Sequence, residues 1–229
     1  MIARPSTLDR IHQQVTTCNL CTRLRTHCTQ IAHDKRAAYR DETYWGLPVP
    51  GFGDPRARLL VLGLAPGAHG ANRTGRMFTG DNSGMFLMRA MHAAGFANKP
   101  LSHDRADGLE LHDAYILAAV RCAPPGNKPT TEEVAACHQH LVAEWNALPR
   151  LQVVVALGRL AFDAYWRVMK DRGITPAPKP TFGHGMACWP RRGPSVIASY
   201  HPSQQNTFTG RLTPQMIEVV FEEAARQIR

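Results

Sequence analysis

The residues with the clearest chemical potential lie in a glycine-rich segment, residues 63–81, whose sequence is GLAPGAHGANRTGRMFTGD. Its five glycines let the backbone approach a ligand closely and adopt left-handed dihedral angles. Phe78 offers a flat aromatic face and Asp81 a carboxylate, a combination that suits a planar base. The alternative interpretation is a solvated loop in which Asp81 or Ser83 only caps a helix that begins near Gly84.

Cysteines supply a second set of chemically active residues. Cys18 and Cys21 form a Cys-x2-Cys pair, and Cys122 and Cys137 lie on either side of a Pro-Pro-Gly turn and the first helical turns after it. Four thiolates from two separate segments match a four-cysteine site for zinc or for an iron–sulfur cluster. Spacing alone leaves both metals open, and two buried cysteines with an incidental pair are the alternative.

Composition and charge narrow the class of protein. A chain of 229 residues with 44% hydrophobic and 20% charged residues predicts one compact domain. Its formal charge of +9 favours a polyanionic partner, with nucleic acid as the leading candidate. No apolar run reaches the roughly 18 residues of a membrane helix, and residues 1–14 lack a secretory apolar centre, so we expect a cytoplasmic protein. There, Cys28 and Cys188 are expected to be free and buried, although Cys28 could replace a metal ligand.

The elements that would position these residues alternate between strand and helix. Short apolar runs predict four buried strands, at residues 58–62, 115–120, 151–157 and 195–199. Amphipathic patterns and caps predict helices at residues 7–17, 85–95, 130–148, 159–171 and 213–228. Thr130 and Glu133 have the spacing of a capping box.

This alternation predicts an α/β fold, a three-layer αβα sandwich around a central, mainly parallel four-stranded sheet. We expect one domain over residues 1–229. Its first part, residues 1–57, holds the amino-terminal helix, the first two metal-site cysteines and, over residues 26–57, an irregular connection without periodicity.

Three motifs together resemble the uracil-DNA glycosylase superfamily, and within it the broad-specificity iron–sulfur branch called family 5. Residues 63–81 resemble its first motif, residues 121–127 (RCAPPGN) its middle motif, and residues 201–203 (HPS) with residues 204–213 its last. The resemblance covers most of residues 18–213. It implies a 4Fe-4S cluster on the four cysteines that fall at the family's ligand positions, Cys18, Cys21, Cys122 and Cys137.

The resemblance also implies a catalytic set. Asp81 would orient water and stabilise the cationic sugar, and His201 would donate to the departing base or to a phosphate. Asn127 would contact the base edge or the water, although a turn explains it equally well. Around the flipped base we expect Phe78 as a stacking face, with backbone N–H groups of the Gly67 and Ala68 region on a base carbonyl; Phe78 as a core aromatic is the alternative.

Two departures from better-known relatives bear on specificity. Residues 65–68 (APGA) carry no polar side chain to position water, and Ala118 stands where the sister iron–sulfur family has an asparagine that reads uracil. Strict uracil selection is therefore not expected. Family 5 is associated with uracil and with some other deaminated or damaged bases.

A DNA interface is expected around these motifs. The residues assigned to it are Arg73, Arg76, Lys128, Ser203, Gln204, Gln205 and Arg211, which would hold the DNA backbone. The loop at residues 204–212 is expected to enter the duplex, without an identified wedge residue.

The leading hypothesis is a monomeric, monofunctional DNA glycosylase that leaves an abasic site, since no lysine lies in the motifs. A non-catalytic iron–sulfur DNA-binding module or redox sensor on the same fold is the alternative. A third and weaker hypothesis is a loop that binds the phosphates of a nucleotide. Neither of the glycine patterns typical of such loops occurs in the sequence.

Overall fold

Alternating strands and helices build a six-stranded sheet with helices on both faces, in a computed structural model that describes residues 6–176, 178 and 180–228. The strands are β1 (Phe52–Gly53), β2 (Leu59–Gly63), β3 (Ala114–Ala118), β4 (Val153–Leu157), β5 (Ala187–Cys188) and β6 (Ser195–Ser199). The helices are α1 (Thr7–Thr16), α2 (Thr22–Asp34), α3 (Ala71–Thr74), α4 (Asn82–Ala93), α5 (Thr131–Asn146), α6 (Arg159–Asp171), α7 (Gln204–Phe208) and α8 (Pro214–Gln227). The predicted three-layer α/β architecture is confirmed.

The sheet has the order β1-β3-β2-β4-β6-β5, and its four central strands are parallel. These are the four predicted strands. The predicted strand count is nevertheless wrong, because β1 and β5 add short antiparallel edges. Each edge strand has only two residues, too few to produce a hydrophobic alternation that sequence analysis could detect.

Alternate residues of each central strand belong to two separate apolar cores. In β2, Leu59 and Val61 face the core formed with α4 and α8, whereas Leu60 and Leu62 face the core formed with α5 and α6. All four side chains are fully buried. A strand covered on both faces must be apolar at every position, which is why these strands were recognisable as continuous aliphatic runs.

The amino-terminal region corrects one prediction. Residues 26–57 were expected to be irregular, but α2 occupies Thr22–Asp34 and begins immediately after Cys21. Its buried side chains are Leu24 and Cys28, an apolar stripe too narrow to give a clear helical pattern. Cys28 is buried as predicted, whereas Cys188, also predicted to be buried, is only half-buried on the edge strand β5.

Helix ends follow the sequence signals. Thr130 and Glu133 form the predicted capping box of α5, with Glu133 N donating to Thr130 Oγ1 at 3.2 Å and Thr130 N to Glu133 Oε2 at 2.8 Å. Within the described residues, no helix has the length and apolar character needed to cross a membrane. The fold places the carboxyl ends of β2, β3 and β6 at one edge, and each predicted motif follows one of these ends.

Candidate active site and cysteine centre

A cavity at the carboxyl edge of the sheet is lined by residues of all three motifs. The structure brings together most of the predicted site residues in this cavity: Gly67, Ala68, Phe78, Asp81, Asn127, His201, Ser203, Gln204 and Gln205. Parallel strands deliver these distant segments to the same place, because their carboxyl ends meet at one edge.

Asp81 both caps a helix and lines the cavity. Its Oδ1 accepts a hydrogen bond of 2.9 Å from Gly84 N at the start of α4. Its Oδ2 lies against the glycine-rich backbone, since a Cβ on Gly70 would be 1.9 Å from this oxygen and a Cβ on Gly67 would be 2.8 Å away. Burial raises the pKa of Asp81, although the hydrogen bond from Gly84 opposes that rise. One carboxylate oxygen is thus fixed by the helix while the other faces the first motif.

Phe78 and His201 form an aromatic wall of the cavity. Phe78 has a φ of 49°, an uncommon left-handed conformation for a residue with a side chain. Its ring covers Gly63, where a Cβ would lie 2.8 Å from the ring, and its centroid is 5.9 Å from that of His201. Burial lowers the pKa of His201 from 6.5 to about 4, so the imidazole is neutral at neutral pH.

Backbone donors are available in the first motif. Gly67 O accepts hydrogen bonds from Gly70 N at 3.2 Å and from Asn72 N at 3.0 Å, which makes the turn tight. Within the part of the chain that the structure describes, the N–H groups of Gly67 and Ala68 donate to no backbone acceptor. These two donors therefore remain free for a ligand in the cavity.

Asn127 reaches the cavity from the turn after β3. Its N–H donates to Pro124 O at 3.0 Å, and its φ is 58°. Asparagine tolerates this left-handed conformation better than most residues, so the turn itself favours it. Asn127 therefore belongs both to the turn, through its backbone, and to the lining of the cavity.

The structure contradicts the assignment of Arg73 to the DNA backbone. Arg73 is 7% exposed, forms an ion pair with Glu42, and donates to His69 O at 2.8 Å and to Gly80 O at 2.7 Å. Its guanidinium also lies over the Tyr39 ring. Arg73 therefore holds the glycine-rich segment together from inside.

Arg76 was also assigned to DNA, and the structure corrects that prediction as well. It is 4% exposed and donates to Thr79 Oγ1 at 2.9 Å, Ser102 Oγ at 3.1 Å and Asp107 Oδ2 at 2.7 Å. The hydrogen bond from Arg76 helps to hold the pKa of Asp107 far below its ordinary value in spite of desolvation. By contrast, the side chains of Lys128 and Arg211 are exposed, as a DNA contact requires.

Sequence reasoning missed several residues near the cavity. Arg36 and Tyr39 line it from the region expected to be irregular, where no spacing pattern marked them. His69 also lines it, with Nδ1 3.0 Å from Tyr44 Oη; its place inside the first motif was the available signal. Phe208, at the end of α7, is 78% exposed and is an unusual position for an aromatic side chain.

The four predicted metal-site cysteines line one separate cavity. Cys122 and Cys137 are buried, and Cys18 and Cys21 are partly exposed. Cys28 lies beside Cys122 and donates to Ala123 O at 3.6 Å. Over the described ranges, no group of three or more His, Cys, Asp or Glu side chains has an arrangement that could hold a metal ion.

The polar groups around this cavity suit an anionic, sulfur-rich group. Arg121 N donates to Cys137 Sγ at 3.3 Å. Arg121 Nε and His140 Nε2 are buried without a hydrogen-bond partner in the structure, and both residues line the cavity. Buried N–H donors ordinarily have acceptors, so these atoms fit a bound group that accepts hydrogen bonds. The four thiols and the surrounding donors therefore fit an anionic, thiolate-bound metal group.

Comparison with known proteins gives a consistent picture. Residues 50–225 match the family model described as the uracil DNA glycosylase superfamily. The chain is 50% identical over 213 residues to a type-5 uracil-DNA glycosylase of Mycobacterium tuberculosis, covering 93% of this chain and 78% of the relative. It is 50% identical over 214 residues to that of Thermus thermophilus, covering 93% and 95% of the two chains. The type-5 uracil-DNA glycosylase of Mycobacterium leprae is 46% identical over 220 residues, covering 96% and 95%.

The burial of His201 predicts an unusually low pH for the protonation of its ring. The ring should take up a proton near pH 4 in the folded protein, against 6.5 for an ordinary histidine, because burial disfavours the charged form. An NMR titration of the histidine ring protons, with His201→Gln to assign the signal, measures this midpoint. The free energy of unfolding should fall as pH drops from 6.5 towards 4, and less so in the variant. A midpoint near the ordinary value would contradict this description of the site.

Proposed function

Because this chain belongs to the uracil-DNA glycosylase superfamily, and within it to the type-5 uracil-DNA glycosylases, we propose that it removes uracil from DNA in base excision repair. The reaction is hydrolysis of the N-glycosidic bond, which leaves an abasic site. The observation that carries this proposal is the convergence of Asp81, Asn127 and His201 on one cavity with an aromatic wall.

The cavity is suited to a nucleotide that has left the base stack. Flipping costs roughly a few kcal/mol, least for a mispaired base, and stacking on an aromatic side chain returns about 1–3 kcal/mol. Phe78 supplies that face beside His201. The free N–H groups of Gly67 and Ala68 would receive a base carbonyl, a role that needs no side chain.

Cleavage of the N-glycosidic bond separates positive from negative charge, and the site has a group that could stabilise each of them. Positive charge develops on the sugar, where the Oδ2 atom of Asp81 would stabilise it and orient the attacking water. Oδ1 is occupied by Gly84 N, so the carboxylate cannot rotate freely. Negative charge develops on the base, to which the neutral His201 ring would donate an N–H, with Asn127 contributing its amide.

We also propose activity on other deaminated or damaged bases. Ala118, at the end of β3, and residues 65–68 provide no side-chain hydrogen bond to read uracil. Recognition would then rest on stacking and backbone donors, which many bases satisfy.

The DNA backbone around the cavity would be held by five residues of the second and third motifs and the segments that follow them: Lys128, Ser203, Gln204, Gln205 and Arg211. We further propose that the protein acts as a monomer and that it acts in the cytoplasm.

A 4Fe-4S cluster on Cys18, Cys21, Cys122 and Cys137 is the cofactor that we propose. When bound, it would supply a cross-link between the α1–α2 junction and the turn after β3, with no redox step in the hydrolysis. The supporting observations are the shared cavity, the Arg121 N–H directed at Cys137 and the unpartnered donors around it. Zinc remains the competing metal.

Base release from defined lesions tests the function. A duplex with one uracil opposite guanine should yield an abasic site, detected as strand cleavage after alkali, and hypoxanthine should yield one more slowly. Asp81→Asn should lower the rate about 10²–10⁴-fold while DNA binding remains, since the variant keeps the helix cap but loses the charge. Glu222→Gln, an exposed change on α8, is the control.

The same assay has a defined pH dependence. Because burial raises the pKa of Asp81, the rate should begin to fall on the acid side at a higher pH than an exposed aspartate would give, without a second limb near pH 6.5 from His201. DNA binding without base release from any lesion would instead support a non-catalytic DNA-binding module.

Metal analysis tests the cofactor. The protein should contain iron and inorganic sulfide in equal amounts and should absorb visible light. Cys137→Ser should lose the iron and unfold at a lower temperature, whereas Cys188→Ser, which lies outside the cysteine cavity, should keep it. A colourless protein with one zinc ion would overturn the cluster assignment.

We propose that Phe208 is the wedge that fills the gap left by the flipped nucleotide. It is 78% exposed in the segment after the HPS motif, where the loop was expected to enter the duplex. Phe208→Ala should lower kcat/KM about tenfold on duplex DNA and much less on a single strand, where no stack needs to be held open. Val219→Ala, an exposed apolar change on α8, should affect neither substrate; an equal loss on both substrates for Phe208→Ala would disprove the wedge.

A further inference from the structure

Three partly buried rings with two exposed arginines lie beside the catalytic cavity. We call this set, Arg159, Phe182, His184, Tyr200 and Arg211, the arginine–aromatic ridge. The Tyr200 ring centroid is 6.3 Å from that of Phe182 and 5.3 Å from that of His184. The Arg211 guanidinium lies 4.6 Å from the Tyr200 ring, and that of Arg159 lies 5.3 Å from the Phe182 ring. The three rings are partly buried and both arginines are exposed.

The ridge is continuous with the catalytic cavity. Tyr200 immediately precedes His201, and a Cβ on Gly158, the residue before Arg159, would lie 3.4 Å from the His201 Cβ. Arg211 follows the segment that carries Phe208. A strand whose nucleotide occupies the cavity would therefore meet the ridge at its next positions.

The two arginines differ from the structural arginines of this protein. Arg73, Arg76 and Arg121 are buried and paired with carboxylates. Within the described residues, neither Arg159 nor Arg211 forms an ion pair with a carboxylate, and each guanidinium lies against a ring. A stacked guanidinium retains its donors while losing part of its side-chain freedom, so less conformational entropy remains to be lost when an anion binds.

We propose that the arginine–aromatic ridge binds the phosphate backbone of the lesion-bearing strand on one side of the flipped nucleotide. Arg159 and Arg211 each contact a phosphate, and the rings beneath them hold the guanidinium groups in place. The occupant is this strand because the ridge begins at the cavity that receives its nucleotide. The inference rests on the proposed glycosylase function and extends it to Arg159, Phe182, His184 and Tyr200.

The salt dependence of DNA binding tests the ridge. The probe is a fluorescent duplex containing the abasic product, so no base release intervenes. The double variant Arg159→Gln/Arg211→Gln should raise Kd and should lower the magnitude of the slope of log K against log salt by about 2, since each phosphate contact contributes about 0.9. A slope equal to that of the wild type would overturn the proposal.

Arg150→Gln is the matched control. Arg150 is exposed and precedes β4, at the sheet edge opposite the catalytic cavity. Arg150→Gln removes one positive charge, as each of the two ridge substitutions does, and should leave the slope unchanged. If it lowers the slope as much as a ridge substitution does, the effect is one of net charge and the proposal fails.

Shortened duplexes test which DNA segment lies on the ridge. Nucleotides are removed from the lesion-bearing strand on the 5′ or on the 3′ side of the abasic site. The Kd difference between wild type and double variant should disappear with truncation on one side only. A difference that survives both truncations would place the arginines elsewhere and contradict the proposal. Failure of the wild type to release any base would reject the glycosylase function separately, since these binding measurements do not use turnover.

Discussion

The catalytic edge of this protein depends on the close contact between the Asp81 carboxylate and the glycine-rich backbone. Oδ1 satisfies an N–H group at the start of α4, and Oδ2 occupies the space in which any side chain at Gly70 would lie. Gly84 is similarly constrained, because a Cβ there would be 2.2 Å from Phe78 O. The first motif therefore packs as one unit, in which the acid, the aromatic wall and the helix start fix one another.

The cysteine centre has its own supporting network. Arg121, which precedes the proposed ligand Cys122, forms a buried ion pair of 3.1 Å with Glu144 of α5. Glu144 also accepts a hydrogen bond from Gly51 N at 3.1 Å, and its neighbour His12 lies 2.7 Å from Tyr115 Oη. A buried charge pair adds little net stability but is costly to break, so it fixes relative position more than it raises stability. The network ties α1, β3 and α5 together around the segment that also presents Asn127.

Much of this arrangement could be predicted from the sequence. Continuous aliphatic runs such as residues 153–157 marked the central strands, because burial on both faces leaves a strong signal. The motifs containing Asp81, Phe78 and His201 follow predicted strands, and all three residues line one cavity because parallel strands bring their carboxyl ends together. The burial of Arg73 and Arg76 could not be predicted, because their partners Glu42 and Asp107 lie 31 residues away and become neighbours only after folding. The short edge strands and α2 could not be predicted, because none of them has an apolar pattern wide enough to be recognised in the sequence.

Asp81 caps α4 and is the proposed catalytic acid, which links activity to local order at the beginning of α4. Fraying of the first helical turn releases Oδ1 from Gly84 N, and the carboxylate then loses the fixed direction that its proposed catalytic role needs. Such local opening requires less free energy than global unfolding. Heating should therefore abolish activity reversibly, because one helical turn unfolds at temperatures where the sheet and both cores are still folded.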